Sequence, residues 1–209
     1  MKKVIQIVLA IVIVVLAWLI WDSIQNPIRF NKEKDKRYAA TIQRLKDIRT
    51  AEIAYKDEYG KFTGSFDTLI NFVKNDSMKL VKAEGSLSDD LLAQGWTEAI
   101  AVKEGLIKRD TIRIAIKDTL FKSQDFNPDL LWKVPFTEND SFQLGTANLN
   151  VSNLNVNVFE AKVHNDILLH DMDNQLIVNL NDKMESANNF PGVKVGDLVE
   201  PNNNAGNWE

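Results

Sequence analysis

An α+β fold, with helices first and antiparallel strands after them, is what three observations in this chain predict. An apolar run opens the chain, a stripe of apolar residues at helical spacing follows it, and from Thr111 onward the apolar period shortens to two.

The opening run extends from Val4 to Trp21, eighteen positions in which only Gln6 is polar. At the rise of an α-helix this spans about 27 Å, most of a bilayer core. A cleavable secretory signal has a shorter apolar stretch followed by small residues, whereas this one ends in Trp18, Leu19, Ile20, Trp21 and Asp22. The expectation is an uncleaved anchor, residues 1–25, in contact with lipid through residues 4–21. Trp18 and Trp21 suit the interfacial belt, where an indole keeps its ring in apolar surroundings and its N–H in wet ones.

The flanking charges pull orientation two ways. Lys2 and Lys3 precede the run, and Arg29, Lys32, Lys34, Lys36 and Arg37 follow it, which by count alone places the larger part of the chain in the cytoplasm. A short basic segment running directly into an apolar one is nevertheless the layout of a signal-anchor, which sends the following chain outward. The later basic residues alternate with Asp22, Glu33 and Asp35 and read as a solvated helical face. An outward domain is the expectation.

Asn26-Pro27 predicts a break, because proline lacks the amide proton and disfavours helix in the residue before it. A stalk, residues 26–64, follows. Tyr38, Ile42, Leu45, Ile48, Ala51, Tyr55 and Tyr59 recur every three or four residues and form one stripe of a helix from about Glu33, with Gly60 as its terminator. Tyr38, Tyr55 and Tyr59 are candidate partner contacts, although packing against the protein's own sheet is the simpler explanation of an aromatic stripe and the one preferred.

Residues 65–187 read as the α+β domain. Ser65 suits the cap of a helix from Phe66 to Val73, Ser88 with Asp89 and Asp90 the start of another, and Thr97 with Glu98 a third. Ile112, Ile114 and Ile116 alternate with polar residues as in a strand with one buried face. Leu149 and Val151 alternate with asparagines, the phase slips at Ser152-Asn153, and Leu154, Val156 and Val158 resume it, which predicts a bulge or tight turn. Asp166 to Leu169 and Gln175 to Leu180, joined through Asp171 to Asn174, predict a hairpin. Residues 188–209 hold Pro191, Gly192, Gly196, Pro201 and Gly206 and read as an extended tail, in which Trp208 is a further candidate for partner contact.

A basic tip, a long apolar helix, a proline, an amphipathic continuation and a β-rich C-terminal half together resemble type IV pilins and secretion-system pseudopilins. The local match runs from Arg44 to Val73 and lies in Leu45 to Tyr55, Glu58-Tyr59-Gly60-Lys61-Phe62 and Phe66-Asp67-Thr68-Leu69. It implies a helix whose stripe docks on a sheet, stopped by glycine and plugged by an aromatic. This chain departs from the pilin pattern at Met1-Lys2-Lys3-Val4-Ile5-Gln6, which carries neither the pilin peptidase site nor the glutamate near the start of the apolar segment, so the resemblance implies an unprocessed, membrane-resident form. Phe190 to Gly196 and Pro201 to Glu209 resemble the endings of uncharacterised cell-envelope proteins of the Bacteroidota. Proteins exported in that phylum are O-glycosylated at Asp, then Ser or Thr, then an aliphatic residue. Matching triplets place candidate acceptors at Thr68, Ser77, Thr111 and Thr119, and ordinary turn and cap chemistry explains the same pairs.

Composition narrows the chemistry. The formal charge of -4 disfavours a nucleic-acid partner, and a chain with no cysteine has no thiol chemistry or disulfide framework. No glycine-rich phosphate loop, nucleophile elbow or His-Glu-x-x-His helix occurs. His164 and His170 are the only histidines. Asp171, Asp173 and Asn174 offer oxygens to a metal such as calcium, yet lack the glycine and downstream glutamate of a calcium loop, and a turn needs those residue types anyway. The sequence therefore predicts no enzyme and no cofactor. The expected function is that of a structural or assembly subunit of the bacterial cell envelope, in the inner membrane with a periplasmic domain, joined to other envelope proteins or to itself. A single-pass extracytoplasmic binding module for a glycan, peptide or calcium is the alternative.

Overall fold

The computed structural model describes residues 2–93, 95–121 and 126–209, with the side chains of residues 2, 79–84, 90 and 108–111 outside that description. The fold is α+β: a long N-terminal apolar helix and, in the C-terminal part, an antiparallel sheet. The chain divides into two compact units, one formed by Met1–Arg49 with Trp132–Glu209 and the other by Thr50–Leu131.

Helix α1, Lys2–Tyr59, enters both units. Its first part is long and apolar enough to cross a membrane, and none of that stretch is buried. The large apolar side chains from Val4 to Trp21 are 46–69% exposed. From Phe30 the helix changes character, and Phe30, Arg37, Thr41, Leu45 and Ile48 are all buried.

In that same unit β3 (Gln143–Val151), β4 (Leu154–His164) and β5 (Gly192–Gly196) form a three-stranded antiparallel sheet in the order β3-β4-β5. Val151 pairs with Leu154, and Ser152 and Asn153 between them have φ of 51° and 66°. Two successive left-handed residues make the two-residue turn whose twist matches that of the strands. Strand β5 lies so close to β4 that a Cβ on Gly192 would meet the Val163 carbonyl oxygen at 2.1 Å, which is why only glycine fits. Helices α6 (Asn165–Leu168) and α7 (Asn174–Ser186) separate β4 from β5. Val158, Phe159, Ala161, Val163, Leu168, Leu169, Ile177, Val193 and Val195 supply the core.

The second unit begins with the last turns of α1, which bury Ala51, Glu52 and Ala54. Gly60, at φ 76°, ends the helix in the left-handed conformation, and Phe62 is buried just beyond it. Helix α2 (Phe66–Asn75) is capped by Ser65, whose side chain accepts from the Thr68 amide, and buries Leu69, Phe72 and Val73. Strands β1 (Ser77–Glu84) and β2 (Lys108–Ala115) pair antiparallel from Ser77 opposite Ala115 to Glu84 opposite Lys108. Between them lie α3 (Asp89–Ala93) and α4 (Glu98–Lys103), the latter capped by Thr97; after them come α5 (Ile116–Leu120) and a 3₁₀ turn at Pro128–Leu130.

Three expectations change. No helix break occurs at Asn26-Pro27: Pro27 lies inside α1. A proline there removes one hydrogen bond, to the Ser23 carbonyl, and leaves the rest of the ladder intact. The chain after it is held to the domain, since the Asn26 side chain donates to Asp173 at 2.9 Å and Phe30 is buried. The hairpin expected over Asp166 to Leu180 is instead the pair α6 and α7. In α7 the buried or half-buried positions are Leu176, Ile177, Leu180, Asn181 and Met184, a helical spacing disguised because a buried asparagine occupies one of them. The tail, in turn, contributes β5 to the sheet. The slip at Ser152-Asn153 is the tight turn, and the isoleucine alternation of β2 ends in α5, where Ile116 is fully buried while Ile112 is 38% exposed.

Candidate functional site

The residues that hold α1 to its own unit begin directly after the apolar stretch. Arg37 is 7% exposed. Its guanidinium grips Asp171 through both terminal nitrogens, at 2.5 and 2.9 Å, donates to the Leu168 carbonyl at 3.1 Å, and through Nε donates to Glu33 at 3.2 Å. The fork geometry suits a carboxylate, and the guanidinium holds the Asp171 carboxyl down at about 2. Three turns nearer the N-terminus, Asn26 reaches Oδ2 of Asp173, while Oδ1 of the same carboxylate accepts the Gln175 and Leu176 amides and caps α7. The loop between α6 and α7 is thus a clasp on α1. Asn174 is the first residue of α7, and the oxygens of Asp171 and Asp173 serve Arg37, Asn26 and the cap. Among the described residues no three His, Cys, Asp or Glu gather as a metal site.

Tyr38 lies beside Arg37. Its hydroxyl donates to Oδ1 of Asn165, and burial pushes its ionisation up to about 12. Asn165, fully buried, donates to Asn181 at 2.8 Å, and Asn181 donates to Asp166 at 2.8 Å. This chain of amides ties α1, α6 and α7 together without a charge in the interior. On the other side of Arg37 the ring of Phe136 lies 5.1 Å from the Lys36 ammonium and 5.6 Å from the Arg37 guanidinium. Phe136 is 44% exposed and has φ of 65°, a strained conformation for an aromatic residue.

Tyr55 and Tyr59 belong to the other unit. Their rings are 4.7 Å apart and lie 5.1 and 5.8 Å from Phe72 of α2, and the Tyr59 hydroxyl donates to Asp76 at 2.7 Å. Glu52 in that unit is fully buried. One carboxylate oxygen accepts the Thr63 amide at 2.9 Å, the other has no hydrogen-bond partner among the described residues, and burial pushes its ionisation up to about 8.

Trp208 folds back over Gly206, where a Cβ would meet its ring at 2.4 Å. The last residues are fastened to α1 by Arg49, which pairs with Glu209 at 2.7 Å and donates to the Asn204 carbonyl at 3.3 Å. Of the triplet acceptors, Thr68 is exposed on α2, Ser77 is half-buried at the start of β1, and Thr119 is half-buried in α5, its hydroxyl donating to the Ala115 carbonyl at 2.9 Å. Thr111 falls in β2 with its side chain outside the described set. His164 accepts the Asp166 amide and caps α6, and Nδ1 of His170 meets the Ile167 carbonyl at 3.0 Å.

Of the aromatic candidates, Tyr38 serves the clasp in one unit, and Tyr55 with Tyr59 an aromatic cluster with Phe72 in the other. The clasp is not marked by the apolar pattern, although Arg37 and Thr41 extend the stripe of Leu45 and Ile48 toward the N-terminus at steps of four, four and three. No protein-family model, no curated protein and no solved structure matches the chain.

Proposed function

We propose that the chain is a membrane-anchored structural or assembly subunit of a bacterial cell envelope, pilin- or pseudopilin-like in organisation, acting through protein–protein contacts. Its apolar helix spans the inner membrane and its domain stands on the periplasmic side. One observation carries the reading: the exposed apolar stretch and the segment clasped by Arg37 and Asp171 are parts of one uninterrupted helix, α1. A flexible tether would only keep a domain near a membrane. A helix running from the apolar stretch into the domain fixes the domain's height and facing, which is what an assembly of anchored subunits requires and what a diffusing binding module does not. The chain's charge and the absence of basic residues outside the juxtamembrane segment from any aromatic-interleaved patch support protein rather than nucleic acid as partner.

Amine-reactive crosslinking of native membranes tests the proposal. The outcome expected is a discrete species larger than the 23.7 kDa chain, made of this chain alone or with an envelope partner. A monomer in mild detergent that gains no partner on crosslinking would contradict it.

A further inference from the structure

The two edges of the β3-β4-β5 sheet are treated very differently. At β5 the end of the chain closes the edge. The Gly196 amide donates to the Ala205 carbonyl at 3.0 Å, the Asn207 amide donates to the Lys194 carbonyl at 3.0 Å, and Val195 bridges to Gly206. At β3, among the described residues, no backbone hydrogen bond from outside the β3-β4 ladder reaches 143–151. In a two-residue hairpin the closing pair, here Val151 and Leu154, exchanges both of its hydrogen bonds, so alternate residues Leu144, Thr146, Asn148 and Asn150 turn their N–H and C=O groups outward.

An open edge of this kind is a template for another strand, and proteins that must stay single blunt it with lysine, proline or a bulge. Strand β3 has none of these. Its pairing with β4 runs one to one from Gln143–Lys162 to Val151–Leu154, and residues 143–159 contain no charged residue and no proline. The far half of the hairpin is exposed and two-faced. Leu149, Val151, Leu154 and Val156 share one face, with Leu154 68% and Val151 41% exposed. Asn148, Asn150, Asn155 and Asn157 share the other, and Asn150 donates to Asn155 at 3.2 Å.

We propose that β3 is a self-association edge, which a second copy of this chain joins with its own β3, antiparallel, to make one continuous six-stranded sheet. A second copy fits better than a foreign strand for two reasons. Antiparallel pairing of β3 with itself sets outward residue against outward residue and keeps like faces together, so that the face of Ala147, Leu149 and Val151 continues into the same face of the copy and the face of Thr146, Asn148 and Asn150 into the other. A strand without charge also offers nothing for an oppositely charged partner to read and nothing to repel its own copy. Anchoring in one membrane would raise the effective concentration of the two edges. The inference rests on the assembly reading above and names the surface through which it acts.

The absence of cysteine makes the test direct. Single cysteines placed in the full-length chain in membranes at 144 to 150 in turn, followed by mild oxidation, are expected to give a disulfide-linked homodimer whose yield peaks at one position among Thr146, Ala147 and Asn148, where a two-fold axis brings a residue against its own copy. Adding Asn150→Lys to the peak variant is expected to abolish the crosslink while thermal unfolding stays as it was, since Asn150 is exposed and turns its backbone groups to the edge. A yield no higher than that of Ser186→Cys on exposed α7, or a crosslink to a different protein, would overturn the inference. If native crosslinking still finds an assembly while the β3 cysteines stay reduced, the edge is wrong and the assembly reading stands.

Discussion

At the scale of single residues, stability and its dependence on pH turn on two carboxylates in opposite circumstances. Asp171 lies near 2, below its ordinary value, because the Arg37 guanidinium binds its charged form. Its contribution is present above the unfolded value of about 4 and is lost as the pH falls toward 2. Asp171→Asn, which leaves the buried guanidinium short of its carboxylate, is expected to destabilise the fold by about 1.5–3 kcal/mol, read from urea unfolding in detergent at neutral pH. Glu52 is raised to about 8, so the folded state holds the proton more tightly than the unfolded one. Its stabilising proton is fully in place below the unfolded value of about 4.5 and is lost as the pH rises through about 8. Glu52→Gln is expected to remove that decline and to raise the melting temperature at pH 8 above that of the parent chain; an unchanged pH profile would show that Glu52 is not the group responsible. In the sequence Asp171 reads as a candidate metal oxygen or a turn residue rather than as a partner of Arg37, and Glu52 is not singled out at all, since a buried Glu on a charged helix looks like any solvated one until the docking face is known.

At the scale of elements, what was legible depended on whether the local pattern decided the structure by itself. The apolar run, the caps at Ser65 and Thr97, the stop at Gly60 and the turn at Ser152-Asn153 each rest on chemistry within a few residues, and each is where the pattern places it. Replacing Gly60 by alanine, whose Cβ opposes the left-handed conformation, is expected to destabilise the unit containing α2 by about 1 kcal/mol, measured by thermal unfolding. The pair α6 and α7 was illegible because Asn165 and Asn181 bury amides where an amphipathic pattern has apolar groups. Pro27 misled for a related reason: its local preference is overruled by contacts made at Asn26 and Phe30, far away in sequence. Continuity of α1 through Pro27 has its own test. Spin labels at Ser23 and Gln43, twenty residues apart in one helix, are expected to give a single narrow distance near 30 Å. A broad or markedly shorter distribution would restore the break.

At the scale of the whole molecule, the long helix joins two things that are usually separate, an exposed apolar segment and the scaffold on which a folded unit is built. Arg37, Tyr38 and Arg49 bind it to the α6-α7 clasp and to the end of the chain, so the unit cannot swivel about the apolar segment without losing buried hydrogen bonds. The pilin-like reading draws on that economy of construction, and the β3 edge adds a direction in which such units would join. Both readings stand on the domain facing outward, against the count of basic residues after the anchor. Ser186, exposed at the end of α7, decides the point most directly. A Ser186→Cys variant of this cysteine-free chain is labelled with a membrane-impermeant maleimide in cells whose outer membrane alone has been made permeable. Labelling in intact cells is the result the account predicts; protection that disappears only on lysis would place the domain in the cytoplasm and contradict it.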